Sequence, residues 1–148
     1  MPNLKIRPVC FEDLPQIEEI ESSSFPDPYP LLLFETLAAH NPETFLIAVE
    51  GKRIVGYISA MNEKQKTIHI ASIAVHPTRR RRSIARRLVT ALLKTLRSMN
   101  VASVKLEVRS SNTAARSLYE TLGFRHSKTL KGYYEDGEDA AVMELTLQ

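Results

Sequence analysis

The 148-residue chain predicts a single α/β domain spanning residues 1–148, with a mixed central sheet of about seven strands and four helices. Three observations predict it. Short apolar runs rich in β-branched residues recur along the chain, as at Thr44 to Val49 and Thr67 to Val75. Between two of them the period turns helical, with Ile84, Leu88, Leu92 and Leu96 recurring every fourth residue. No repeat, low-complexity tract or long linker interrupts the pattern.

Each element has a local reason. Leu4 to Val9 alternates loosely and reads as a strand. Glu12 or Asp13 is placed to cap a helix from about Leu14 to Ser22, with Pro15 tolerated in its first turn. Pro26, Pro28 and Pro30 then enforce a loop, because proline defeats a regular ladder, and a short helix follows from Leu31 to about His40. Thr44 to Val49 and Arg53 to Ala60 form a hairpin around Gly51, which can take positive φ. Thr67 to Val75 is the next strand, and a helix opens at Ser83 or Ile84. Val101 to Val108 is a strand, so the middle of the chain is a strand–helix–strand crossover. Ala115, Leu118, Tyr119 and Leu122 share one helical face that ends at Gly123, a C-terminal cap. Phe124 to Leu130 and Ala140 to Leu147 close the sheet around Asp136-Gly137.

Composition narrows the function classes. Hydrophobic residues make up 43% and charged residues 25%, ordinary for a globular chain, and no apolar run is long enough to span a bilayer. The start, Met1-Pro2-Asn3-Leu4-Lys5, lacks the order of a signal peptide, so a cytoplasmic enzyme is the expectation. The lone Cys10 has no disulfide partner and is expected to be a small buried hydrophobe; no Cys/His cluster has zinc spacing, and no metal is expected. The net charge of +3 is modest, but it is unevenly placed. Arg79, Arg80, Arg81 and Arg82 run together with Arg86 and Arg87 close behind, while Glu135, Asp136, Glu138 and Asp139 crowd the other end.

The arginine run lies where an apolar strand turns into a helix. Helix starts leave backbone N–H groups unpaired and carry partial positive charge, so the turn suits an anion, and arginines there add charge-assisted bonds to phosphate. The spacing Arg80-Arg81-Arg82-Ser83-Ile84-Ala85, after Ile73-Ala74-Val75-His76-Pro77, resembles the Arg/Gln-x-x-Gly-x-Gly/Ala signature of the GNAT acetyltransferase superfamily. The resemblance implies acetyl-CoA as co-substrate. Ile73, Ala74 and Val75 would contact pantetheine on a strand splayed from its neighbour, and Arg80, Arg81, Arg82, Ser83, Ile84, Ala85 and Arg86 the pyrophosphate. Ser83 stands where the motif has glycine; it is expected to adopt an ordinary helix-start geometry, with its hydroxyl capping the helix or meeting phosphate. A solvated basic run touching nucleic acid is the competing account of these arginines.

Leu106-Glu107-Val108-Arg109, Ser111-Asn112 and Ser117-Leu118-Tyr119-Glu120-Thr121-Leu122-Gly123-Phe124 resemble the second GNAT signature. Lys131-Gly132-Tyr133-Tyr134-Glu135-Asp136-Gly137 is similar to the archaeal type of protein N-terminal (Nα) acetyltransferase, a group that includes the bacterial enzyme acting on a ribosomal-protein alanine. By this likeness Asn112, Ser117, Leu118 and Tyr119 contact the coenzyme, and Tyr119 is the general acid at its sulfur. A packed aromatic is the plainer account of Tyr119.

Two bases are open. Glu107 is an acid in an apolar strand, where partial burial is expected to raise its pKa; a salt bridge to an arginine is the alternative. His69 lies on the neighbouring strand and matches a histidine of the archaeal-type relatives; an exposed strand histidine is its alternative. A main-chain N–H in Ile73–Val75 is expected to hold the oxyanion. The loops with Tyr29 and Tyr134 resemble those flanking the peptide in N-terminal acetyltransferases, with Asp27 at a position that shapes first-residue preference. The acidic residues around Gly137 are expected simply to face solvent. The sequence thus points to acetylation of protein N-termini by direct transfer in a ternary complex, with no membrane and no direct nucleic-acid partner; a homodimer or an auxiliary subunit is left open. A small-amine acetyltransferase or a non-catalytic acyl-CoA regulator are the alternatives.

Overall fold

The computed structural model describes residues 3–80 and 83–147. Its elements follow the sequence closely: β1 (Leu4–Pro8), α1 (Leu14–Ser24), α2 (Leu31–His40), β2 (Phe45–Glu50), β3 (Arg53–Asn62), β4 (Thr67–Val75), α3 (Ile84–Ser98), β5 (Ser103–Arg109), α4 (Thr113–Thr121), β6 (Arg125–Leu130) and β7 (Ala140–Thr146). Among the described residues this gives the expected α/β class, with a seven-stranded sheet in the order β1-β2-β3-β4-β5-β7-β6 and four α-helices. The chain divides into two compact units, Met1–Met61 with Ile70–Met99, and Asn62–His69 with Asn100–Gln148.

In the first unit β1, β2 and β3 are antiparallel neighbours, and α3 packs against β1 and β2. The stripe predicted for α3 is the face it buries: Ile84, Leu88, Val89, Leu92, Leu93 and Leu96. A second cluster joins Leu14, Ile17 and Ile20 of α1 and Phe34 and Leu37 of α2 to Phe45, Ile47, Tyr57 and Ala74. Each such side chain contributes roughly 1.5–3 kcal/mol of transfer free energy, so this cluster dominates the seating of α1 and α2. Gly56 of β3 lies where a side chain would collide, since a Cβ there would stand 3.1 Å from the Ala74 carbonyl oxygen and 3.3 Å from both Ile84 Cγ2 and Leu88 Cδ1.

Cys10 departs from expectation. It is exposed rather than buried, with its sulfur 3.7 Å from Arg7 Nη1. The cause is local: the strand stops at Pro8, and the next turn is held by Asp13, whose carboxylate accepts the Cys10 N–H at 2.7 Å and the Arg7 guanidinium at 2.9 and 3.1 Å. Asp13 therefore spends its oxygens on that turn and makes no cap bond to α1.

In the second unit β5 pairs in parallel with the start of β4, through Thr67↔Ser103, Ile68↔Val104 and His69↔Lys105, as a crossover requires. Its other edge is antiparallel to β7, which in turn holds β6. The two-residue period of a strand sends Val104, Leu106 and Val108 into the core and leaves Lys105, Glu107 and Arg109 together on the opposite face. Asn112 caps α4, its side chain accepting the Ala115 N–H at 3.1 Å, and Gly123 takes φ 99° beyond the helix end.

Candidate active site

Strand alternation puts His69 of β4 and Glu107 of β5 on the half-buried face of the second unit, and there they meet. Nε2 of His69 lies 2.7 Å from Oε1 of Glu107, with side-chain exposures of 19% and 14%. Tyr133 aims its hydroxyl at the same carboxylate oxygen, 3.5 Å away. On the other side of the ring, Nδ1 is 3.6 Å from Glu63 Oε1, and Lys105 Nζ holds Glu63 Oε2 at 3.0 Å. The result is a row of paired side chains, Glu107–His69–Glu63–Lys105.

The expected raised pKa at Glu107 does not occur. Burial does push its carboxyl up, but the His69 hydrogen bond and charge, with Lys105 and Tyr133, outweigh it and hold the carboxyl below its ordinary value. Glu107 is therefore an anion at neutral pH and can only accept, so its bond to His69 requires the proton on Nε2. Neither plain alternative holds: the partner of Glu107 is a histidine rather than an arginine, and His69 is paired rather than merely exposed.

In the first unit, the end of β4 and the start of α3 form the anticipated turn. Ser83 sits at φ 61°, ψ 16°, a left-handed conformation, and its side chain makes no cap bond. This corrects the expected ordinary helix-start geometry: the position demands what glycine gives freely, and serine adopts it at a cost of about 1–2 kcal/mol. The first turn of α3, Ile84, Ala85 and Arg86, follows directly, with the Arg87 N–H closing onto the Ser83 carbonyl at 3.0 Å. Such a turn fits a diphosphate, because amides at a helix start point along the axis toward an anion.

The arginines divide their labour. Arg79 pairs with Glu50 at 2.8 Å. Arg80 reaches back to the Val75 carbonyl and to Ser24 Oγ, both at 3.1 Å, tying the end of β4 to the last turn of α1. Arg87 donates to the Leu4 carbonyl at 3.2 Å. Arg81 and Arg82 lie outside the described residues. Along β4, Ala74 is buried while Ile73 and Val75 are half-buried on the opposite face.

On α4, Tyr119 is buried with its ring set edge-on against Phe124, 5.4 Å between centroids, and burial pushes its phenol well above the ordinary value. It stays protonated across the physiological range. Ser117 is exposed and Leu118 half-buried on the same helix. Tyr133 and Tyr134 stack edge-to-face at 5.0 Å, and the Arg109 guanidinium lies 4.2 Å over the Tyr134 ring. Tyr29 is 40% exposed, its ring edge-on to Phe34 at 6.4 Å, and Asp27 is exposed in the same loop.

The acidic turn is more than solvent-facing. Arg109 binds Asp136 at 2.8 Å and Glu138 at 3.0 Å, Glu138 also accepts the Ser111 N–H at 2.9 Å, and Asp139 takes Lys131 and the Gly132 N–H. The Ser111 and Arg109 bonds draw Glu138 down to about 2. Sequence reasoning passed over Arg109, Glu63 and Lys105, although the alternation that exposed Glu107 put Arg109 and Lys105 on its face. It also passed over Glu21, which is 2% exposed in α1; its place among the apolar positions Leu14, Ile17 and Ile20 was the available signal.

The pattern of the acetyltransferase (GNAT) family matches residues 14–124. The N-alpha-acetyltransferase of Saccharolobus solfataricus is 37% identical over 150 residues, covering 93% of this chain and 90% of its own. The [ribosomal protein bS18]-alanine N-acetyltransferase of Escherichia coli is 33% identical over 138 residues, covering 91% and 92%. Among solved structures, a chain of the NatC complex bound to Gag peptide and CoA superposes with a TM-score of 0.92 at 25% identity, covering 99% of each chain. A helix mouth suited to a diphosphate, a strand-borne histidine–carboxylate pair and a match over three-quarters of the length have one reading in common: the chain belongs to the acetyltransferase (GNAT) family.

Proposed function

We propose that this chain is one catalytic domain that transfers acetyl from acetyl-CoA to the α-amino group of protein N-termini, by direct attack in a ternary complex. The observation that carries this reading is the His69–Glu107 pair, beside the loop of paired tyrosines. The relatives named N-alpha-acetyltransferase and bS18-alanine N-acetyltransferase support the same substrate class.

The chemistry asks for a neutral amine, a stabilised oxyanion and a proton for the leaving thiolate. An α-amine of pKa about 7.7–8.0 is roughly 10–15% neutral at pH 7, whereas a lysine near 10.4 is below about 0.1%. The base can therefore be modest. Glu107, ionised and low in pKa, orients His69, and the pair takes the amine proton directly or through one water. Tyr119, held protonated by burial, supplies the proton to the thiolate. Ile73, Ala74 and Val75 line the pantetheine, and an N–H of that stretch holds the oxyanion. The α3 turn from Arg80 through Arg86, Arg81 and Arg82 included, holds the diphosphate, with Asn112, Ser117 and Leu118 as further contacts. Tyr29 and Tyr134 clamp the peptide backbone, and Asp27 bears on the first residue.

The test is mass spectrometry of short peptides, with and without blocked α-amines, after incubation with acetyl-CoA. One acetyl gained on free α-amines and none on lysine side chains is the expected result. Glu107→Gln combined with His69→Ala should lower kcat by about 10²–10⁴-fold, the usual worth of general base catalysis. Acetylation of lysines or small amines in preference to α-amines, or an undiminished double variant, would refute the assignment.

A further inference from the structure

The first unit contains a buried carboxylate that the acyl-transfer chemistry above does not use. Glu21, in the penultimate turn of α1, is 2% exposed, and burying a carboxylate is costly unless donors surround it. Three donors come from three other segments. Oε1 accepts the hydroxyl of Tyr57 from β3 and, at 2.8 Å, the hydroxyl of Ser72 from β4; the two hydroxyls are themselves 3.0 Å apart. Oε2 accepts the backbone N–H of Tyr29 at 3.0 Å.

That last bond singles Glu21 out. Tyr29 stands between Pro28 and Pro30, neither of which has an N–H, so its amide is the one donor the Pro28-Tyr29-Pro30 backbone can offer. The Tyr29 ring itself is 40% exposed and stands edge-on to Phe34. On the inner side, Ser72 directly precedes Ile73-Ala74-Val75, and Tyr57 is fully buried against Phe34 and Phe45. One carboxylate thus ties the exposed aromatic loop to the strand segment assigned to pantetheine.

We propose that Glu21 is a positioning residue that fixes the Tyr29 loop, and so sets how firmly a substrate N-terminus is gripped. The proposal rests on the peptide role given to that loop above. Glu21→Leu is the selective probe because it is close in volume and offers no acceptor. The Tyr29 N–H then loses its partner whichever way the side chain turns, which releases the loop, while the Tyr57 and Ser72 hydroxyls can still bond each other. Tyr57→Phe, which leaves the ring packing intact, loosens the inner anchor and serves if the first variant does not fold.

Two readouts are required. In steady-state kinetics, Glu21→Leu should raise KM for peptide about tenfold, and Tyr57→Phe about threefold, with kcat and KM for acetyl-CoA within twofold of wild type. In amide hydrogen–deuterium exchange of the folded protein, both variants should exchange faster at the Tyr29 N–H, which Glu21 holds, with amides outside the loop unchanged. The exchange needs no activity, so it reads the anchor even if the wild type acetylates no peptide, a result that would sink the substrate assignment alone. Unchanged exchange at Tyr29, or equal rises in KM for peptide and acetyl-CoA, would overturn the proposal.

Discussion

Replacing Ser83 with glycine separates two accounts of the α3 turn by sign. Ser83 holds φ 61° with its hydroxyl making no cap bond. If left-handed strain dominates, glycine removes about 1–2 kcal/mol of it. The unfolded chain with glycine is more flexible, which offsets about 0.4–1 kcal/mol. The net expectation is about 0.5–1 kcal/mol of added stability, or about 1–4 °C in Tm at roughly 2–4 °C per kcal/mol for a chain near this size. Were Ser83 a working N-cap instead, glycine would lose a few tenths of a kcal/mol and alanine about 1 kcal/mol. Urea and thermal unfolding of Ser83→Gly and Ser83→Ala decide the matter. Ser83→Gly should be the more stable and Ser83→Ala close to wild type; a less stable glycine variant, or an alanine variant down by about 1 kcal/mol, refutes the strain argument.

Two further outcomes follow from the geometry. Gly56→Ala should lose about 1–3 kcal/mol in urea unfolding, because its Cβ would meet the Ala74 carbonyl oxygen at 3.1 Å and backbone cannot yield as a side-chain tip can. The Glu138 carboxylate is stabilised by Ser111 and Arg109 and titrates at about 2. A depressed carboxylate contributes its stability above the ordinary carboxylate range and loses it as pH falls toward its folded pKa. Carboxyl NMR should therefore show Glu138 ionised down to about pH 2, with loop resonances of Tyr133 and Tyr134 shifting over that interval; a midpoint at an ordinary carboxylate pKa would contradict the bonding.

What the sequence disclosed tracks how local each cause is. The start of α2 at Leu31 was legible because Pro30 stops the loop immediately before it, and β4 because its apolar alternation runs unbroken from Thr67 to Val75. Glu107 and His69 were legible by kind, as polar residues inside apolar strands. Their mutual bond was not, since residues 69 and 107 are brought together by the β4–β5 register. The same holds for the direction of the Glu107 shift, which His69 decides. Glu21 was hidden because its donors come from residues 29, 57 and 72. Ser83 was misread because φ at one residue depends on how the chain must turn from strand into helix, and serine's ordinary preferences point elsewhere.

The self-contained bonding of the acidic turn bears on how substrates are chosen. With Asp136 and Glu138 closed around Arg109, and Asp139 around Lys131, two cations offset half of the four carboxylate charges from Glu135 to Asp139 within a few ångströms, well inside a Debye length of about 8 Å at physiological ionic strength. Such a cluster projects less potential into solvent than its acidic residues alone would. Its pull on a basic chain end is correspondingly weaker than the bare run Glu135 to Asp139 promises.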